Sequence, residues 1–475
     1  MILLRYLALY VSLTVIAMGK WLDRKFQDFE FEQILFHIQL SEDQVLQTDY
    51  SLVENFLKNT LGAALLVLLL LAAAFWVAER RSGVWATVLV RARAYLMSWL
   101  GLSAVFLSGA AYFALLNVKL PDGRVEDKDW LAEFYVKPEL VQRPAKKKNL
   151  VLIYGESFEK SLDAIYPNDK LFQPVSFDHL PHVSVPRFKQ AFGASWTIAG
   201  IMGSQCGLPL KPVGMLNRNR IGENTHKFLP GADCLPDILA EDGYHNIFIG
   251  GAYTEFSGKS RYLKQHGYGE IHGRVEFLDR NPKLPLNNWG VQDDDLFKFA
   301  KQRYLQLKRE HKPFNLTMLT LGMHIPEGFP APSCPRKFND YRDSIYCTSY
   351  LVRDFVDFVA QNDPEGDVKV VVMGDHLTMR PYPKAKPEWE ASRSIFNALL
   401  AKSDLPTLNK QEIVHFDMYP TLLEFMGYEV KGGRAGMGCS AIGASRCDSL
   451  AADPLLDAKL QRHSDFYYTL WTQDD

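Results

Sequence analysis

The sequence has no cysteine in its first 205 residues and no pair spaced as C-x2-C or C-x4-C. That absence argues against a structural zinc site built from clustered thiolates. A dominant charge is missing too: 53 Lys+Arg stand against 55 Asp+Glu, a net −2. Nothing therefore suggests a polyanion-binding surface, and no nucleic-acid partner is expected. Internal repeats and low-complexity tracts are also missing, so no repeat architecture is indicated. The six cysteines that do occur are Cys206, Cys234, Cys334, Cys347, Cys439 and Cys447. An even number suits disulfides formed in an oxidising compartment. Of the many connectivities that six cysteines allow, neighbour pairing (206–234, 334–347, 439–447) is the expectation.

Apolar residues crowd the first 120 positions. Residues 2–19 are apolar except for Arg5, and the polar Lys20 that follows gives no convincing cleavage site for a signal peptide. Residues 61–78 carry no charge, and neither do residues 94–118, where Tyr95, Trp99 and Tyr112 lie towards the ends. At about 1.5 Å of rise per residue each run can cross a bilayer core, which predicts three transmembrane helices. The link between the second and third carries Arg80, Arg81, Arg91 and Arg93 against Glu79 alone. Basic links stay on the cytoplasmic side, so everything after Val118 should lie outside. A multi-pass protein of a bacterial inner membrane with a periplasmic domain is the expectation, and the cysteines point to the same side.

Residues 127–140 place Trp130, Leu131, Phe134 and Tyr135 near one helical face, which suits a helix in the membrane interface or one packed on the following domain. Residues 141–148 (VQRPAKKK) read as a solvated linker. The predicted organisation is an anchor over 1–118, a juxtamembrane helix and linker over 119–148, and a periplasmic domain over 149–475.

In that domain NLVLIYG (149–155), HNIFIGG (245–251), FNLTMLTLG (314–322) and VKVVVMG (368–374) read as strands buried on both faces. Helical patterns at 293–306 and 344–361 lie between them. The alternation predicts an α/β fold with a mostly parallel sheet and right-handed crossovers. Ligands and chemistry gather at the carboxyl ends of such strands. The four runs deliver Glu156, Gly250 with Gly251, His324, and Asp375 with His376 to one edge. Any one of these fits a helix cap or turn; their convergence favours a site.

A hydroxyl nucleophile is available in FGASWTIAGIMGSQCGLPL (192–210), where Thr197 opens a short helix of small residues. The helix N-terminus favours an alkoxide and a phosphate beside it, although spacing alone favours a plain cap. A threonine hydroxyl is a weak nucleophile without a metal ion to activate it. Gly258-Lys259-Ser260 imitates the tail of a phosphate loop, but Tyr253 stands where that loop needs glycine. Nucleotide binding is not supported.

Together YGESFEKS, SWTIAGIMGSQCGLPL, GGAYTEFSGKSRYLKQHGY, NNWGVQDDDLF, GMHIPEGF and GDHLTM resemble the alkaline phosphatase/sulfatase superfamily. The branch they resemble is that of membrane-anchored phosphoglycerol transferases, including those of osmoregulated periplasmic glucan synthesis, with lipoteichoic acid synthases more distant. The resemblance spans about residues 132–445. It implies an alkaline-phosphatase-like α/β sandwich behind an all-α membrane anchor. It also implies one divalent ion (manganese, magnesium or zinc) held by Glu156, Thr197, Asp375 and His376. Thr197 would be the nucleophile that becomes phosphoglycerylated, and His324 would contact the phosphoglycerol group or protonate the leaving group. Lys259, Trp289 and Asp293 would bind or shape around the substrate. The donor implied is phosphatidylglycerol, releasing diacylglycerol, and the acceptor a periplasmic glycan or other envelope hydroxyl. Gly250 stands where lipoteichoic acid synthases carry histidine, which bears on the acceptor.

Phosphoethanolamine transferases share the threonine and the Asp-His pair, but usually carry further histidines soon after it; none occurs here between His376 and His415. Sulfatases need an oxidisable cysteine or serine in a C/S-x-P-x-R context, which Thr197-Ile198-Ala199-Gly200 lacks. A catalytically inactive glycan-binding relative would usually have lost a ligand, and all four are present.

Overall fold

The computed structural model describes residues 2–25, 50–117, 124–211, 227–325, 327–380, 382, 387–444 and 447–472. The N-terminal helices form one compact unit; residues from Arg124 onward, Met379–Pro381 aside, belong to the other.

In the first unit, Leu3–Leu22 and Glu54–Ala78 are each long and apolar enough to cross a membrane. The third predicted span, 94–118, is not one straight helix from its start. Val84–Leu96 and the helix from Trp99 meet at a bend of 76°. Ser98 supplies the reason, because its Oγ accepts the N–H of Gly101 at 3.0 Å and so starts a new helix. Gly109 lets the last helix approach the first closely, since a Cβ there would lie 2.7 Å from Ile16. Trp21 donates its indole N–H to Asn55 Oδ1 at 2.9 Å.

The second unit begins with a correction to the predicted helix over 127–140. Only Trp130–Phe134 is helical, capped by Asp129, which accepts the N–H of Ala132 at 3.0 Å. Pro138 lacks an amide proton and biases Lys137 towards extended backbone, so the chain continues as strand β1 (Leu140–Gln142). The expected linker thus starts inside a strand. Leu131 is buried in the domain core, so this helix packs on the domain.

The strands that follow are β2 (Asn149–Gly155), β3 (His182–Val183), β4 (Arg187–Lys189), β5 (His245–Gly250) and β6 (Glu270–His272). After them come β7 (Phe314–Leu319), β8 (Val368–Gly374), β9 (Asn397–Leu400), β10 (Glu412–Val414) and β11 (Glu429–Val430). β1 pairs with β11 and β4 with β10, outside the main sheet. The seven-stranded sheet runs β3-β9-β8-β2-β7-β5-β6. Its five strands from β8 to β6 are parallel, and β9 and β3 add antiparallel pairings at one edge. All four predicted strands lie in the parallel part.

Every residue of β2 and β8 is buried, because both faces of the sheet are covered. Leu150, Leu152, Tyr154, Val371 and Met373 face one core with the helices Thr197–Cys206 and His415–Phe425. Val151, Ile153, Val370 and Val372 face the other, with Asp293–Glu310 and Tyr341–Gln361. A strand's period of two sorts its residues into two cores, and each fully buried aliphatic side chain contributes about 1.5–3 kcal/mol. The three disulfides are Cys206–Cys234, Cys334–Cys347 and Cys439–Cys447, the neighbour pairing expected from the sequence.

Candidate active site

Gly155 of β2 and Gly374 of β8 are register partners, so Glu156 and Asp375 leave the sheet side by side. Asp375 donates its N–H to the Gly155 carbonyl at 3.1 Å. Its Oδ1 accepts the backbone N–H of Ser157 and that of His376, both at 2.8 Å. Its Oδ2 is buried with no hydrogen-bond partner. An orphaned buried carboxylate oxygen is costly, and buried charges are ordinarily paired or coordinated to a metal. His376 Nδ1 lies 2.7 Å from the carbonyl of Leu377. A carbonyl only accepts, so Nδ1 carries a proton, and Nε2 is the nitrogen turned towards the carboxylates. That Nε2 stands 3.4 Å from Glu156 Oε1 and 3.5 Å from Asp375 Oδ2. One ligand atom from each of Glu156, Asp375 and His376 lies within 4.8 Å of the others.

Thr197 opens the helix Thr197–Cys206 after an extended Trp196. Its hydroxyl donates to Glu156 Oε2 at 3.2 Å. The nine residues behind it are buried while Thr197 is only half-buried, so the hydroxyl lies at the open end. Gly200 fixes how the helix sits, because a Cβ there would lie 1.9 Å from the carbonyl oxygen of Asp375. Two carboxylates, an imidazole and a hydroxyl form a hard-to-borderline donor set that suits manganese, magnesium or zinc. The residues fit such an ion.

Burial and then the charge of Glu156 push the Asp375 carboxyl up to about 8. Burial opposes charge on His376, but Asp375 and Glu156 outweigh it and raise the imidazole to about 9. Burial likewise opposes charge on Glu156, where His376 wins and holds the carboxyl at about 2. A proton and a cation therefore compete for this cluster, and a cation binding there would displace the proton.

Lys259 opens the helix Lys259–Gln265 and is buried, its Nζ donating to the Phe256 carbonyl at 3.2 Å. Burial lowers its pKa to about 8 against the pull of Glu156, Glu255 and Asp375. His324 is half-buried, its Nδ1 lies 2.8 Å from the Ile325 carbonyl, and its charge helps hold Glu156 ionised. The Trp289 ring stacks on His324 at 4.0 Å and 26°. Asp293 presents no free oxygen: it accepts the N–H groups of Leu321 and Gly322, both at 2.8 Å, and burial pushes it up to about 7. It holds the turn that carries His324.

Sequence reasoning missed several supporting residues. Ser157 hydrogen-bonds Glu156 Oε1 at 2.8 Å from a left-handed φ of 52°; its signal was its place in YGES. Thr320 Oγ1 accepts the Glu156 N–H at 3.0 Å, and Gln190 Oε1 accepts that of Leu377 at 2.8 Å. Glu159 forms a buried pair with Arg393, Nε at 2.9 Å and a terminal nitrogen at 2.7 Å, and accepts the Thr378 N–H at 3.0 Å. Ser157 aside, these partners are far apart in sequence and carry no local signature.

Among known proteins, the sulfatase family matches residues 148–428. Phosphoglycerol transferase I of Xanthomonas axonopodis pv. citri (strain 306) is 33% identical over 255 residues, covering 51% of this chain and 35% of that protein. The protein of the same name from Xanthomonas campestris pv. campestris (strain B100) is 30% identical over 354 residues, covering 70% and 49%. The chain thus spans between about a third and a half of the length of these curated relatives. A solved structure of the lipoteichoic acid synthase LtaP from Listeria monocytogenes superposes with a TM-score of 0.49 at 16% identity, covering 66% of this chain and 80% of that one.

Proposed function

The chain belongs to the sulfatase family, and on that premise we propose that it transfers phosphoglycerol from phosphatidylglycerol to a periplasmic glycan or other envelope acceptor, releasing diacylglycerol. One observation carries the reading: the Thr197 hydroxyl is hydrogen-bonded to Glu156 beside the unpartnered Oδ2 of Asp375. That is a nucleophile next to a cation site. The names of the ~30%-identical relatives support the transferred group.

Glu156, Thr197, Asp375 and His376 would hold a divalent ion, which would supply a Lewis acid that lowers the pKa of the hydroxyl. Glu156, ionised, orients that hydroxyl and accepts its proton. Thr197 Oγ1 forms the bond to phosphorus as the bond to diacylglycerol oxygen breaks, and His324 delivers a proton to that oxygen. Lys259 and the amides at the start of the Thr197 helix share the charge that develops on phosphate oxygens. An acceptor hydroxyl then attacks phosphorus, giving its proton to His324, and Thr197 leaves and regains its own proton from Glu156. The apolar helices hold the domain at the membrane where the lipid donor lies, and its disulfides suit the outer side.

Two features count against the nearest rivals. Thr197 is not the cysteine or serine that sulfate-ester hydrolysis in this family needs. Among the described residues the other donor groups are Cys234–Asp237–His266, whose cysteine is in a disulfide, and Asp363–Glu365–Asp367, at the opposite end of β8. Neither supplies a second metal beside Asp375, as a phosphoethanolamine transferase would want.

Membranes containing the full chain, given Mn2+ and headgroup-labelled phosphatidylglycerol, should yield diacylglycerol and a labelled acceptor, with a phosphoglyceryl adduct on Thr197 by mass spectrometry. Thr197→Ala should abolish all three. Turnover by that variant, or preferential use of labelled phosphatidylethanolamine, defeats the proposal.

A further inference from the structure

His415 opens the helix His415–Phe425 directly after β10. β10 runs parallel to β4, with Val414 opposite Lys189, and β4 leads towards Thr197. Asp417 pins the start of the helix by accepting the N–H groups of Val414 and Cys439, both at 2.8 Å. The ring of Phe188 meets the imidazole edge-on at 5.0 Å. On its remaining side the His415 Cβ lies 3.0 Å from where a Cβ on Gly203 would stand, so the residue rests against the Thr197 helix.

The imidazole is wholly buried, and its Nε2 is 2.7 Å from the carbonyl oxygen of Asp375. Since a carbonyl only accepts, Nε2 carries the proton. Nδ1 has no hydrogen-bond partner. The same carbonyl oxygen lies 1.9 Å from the position of a Cβ on Gly200. A single atom of Asp375 is therefore gripped by His415 on one side and overlaid by the Thr197 helix on the other. Without the imidazole donor that buried oxygen loses the side-chain hydrogen bond seen here.

We infer that His415 is a positioning residue: its Nε2–H fixes the Asp375 carbonyl against Gly200 and so sets where the side chains of Asp375 and His376 stand relative to Thr197. This rests on the metal site proposed above but not on which group is transferred. His415 is neither a ligand nor a proton carrier, because Nε2 is engaged by a carbonyl and Nδ1 is enclosed.

Two amide substitutions separate reach from chemistry. In His415→Gln the side-chain amide nitrogen extends to about where Nε2 stands; in His415→Asn it falls one methylene short. The full chain in detergent is titrated with Mn2+ alone, free ion being read by electron paramagnetic resonance, and near-UV circular dichroism checks packing. H415Q should bind Mn2+ within about threefold of the native chain, and H415N about 10- to 100-fold more weakly, the usual range for an outer-shell loss. H415Q should also keep the native pH–rate profile, and H415N should lose kcat with little change in KM for the donor. An H415N chain too unstable to titrate is replaced by H415M, which fills similar space without a donor. Equal Mn2+ affinity in H415Q and the donor-deficient variant, or an altered pH profile in H415Q, overturns the inference. Mn2+ binding is blind to the transferred group, so a failed transfer assay with intact binding leaves this inference standing.

Discussion

Ser157 donates its backbone N–H to Oδ1 of Asp375 across 2.8 Å while its own φ is held at 52°. The same residue gives its hydroxyl to Oε1 of Glu156, also at 2.8 Å. One serine in left-handed backbone thereby orients two carboxylates from different strands. Ser157→Gly keeps the backbone bond and tolerates the dihedral angle but removes the hydroxyl. Mn2+ affinity should fall by about tenfold or more, with cooperative thermal unfolding retained. Undiminished affinity would show that the hydroxyl orients nothing.

Gly200 gives a prediction whose sign is diagnostic. Glycine to alanine inside a helix ordinarily stabilises by about 1 kcal/mol. Here the added Cβ would lie 1.9 Å from the Asp375 carbonyl oxygen, a contact that must be relieved by moving the helix or the strand end. Gly200→Ala should destabilise the domain by about 1–3 kcal/mol, read as a lower midpoint in denaturant unfolding.

The strands and the polar residues at their ends were legible because β-branched runs ending in glycine are a local pattern. YGES and GDH announce themselves within a few residues. Strand order was not legible: that β2 lies between β8 and β7 depends on contacts hundreds of residues apart. The antiparallel β9 and β3 gave no signal, being only four and two residues long. The break before Trp99 was hidden inside a run that carries no charge, since Ser98 acts through one hydrogen bond. Arg393 and His415 looked like ordinary polar residues, and their importance comes from what the fold sets beside them.

The buried pair of Glu159 and Arg393 ties the chain just past Glu156 to the loop just past His376, with a terminal nitrogen of Arg393 also donating to the Thr378 carbonyl at 2.5 Å. Removing one member strands the other's charge. Arg393→Met should cost about 3–5 kcal/mol of stability, and adding Glu159→Leu should return part of it. A double variant no more stable than R393M would contradict this.

Lys259 should impose an alkaline limit on turnover. Burial lowers its pKa to about 8 from the ordinary 10.5, so the cation is present below pH 8 and disappears above it. kcat/KM should decline above about pH 8, and Lys259→Arg should move that decline upward, arginine staying charged. Stability runs the other way. The folded chain releases this proton before the unfolded chain does, so the Lys259 contribution rises between about pH 8 and 10.5 and is missing in Lys259→Met. A pH–rate profile unchanged by K259R would remove Lys259 from the site.

The cysteines are joined strictly in order, with separations of 28, 13 and 8 residues. In a chain threaded outward amino end first, each thiol meets its mate before any later thiol emerges. Oxidation can then keep pace with export, and no wrongly crossed pair has to be reshuffled afterwards.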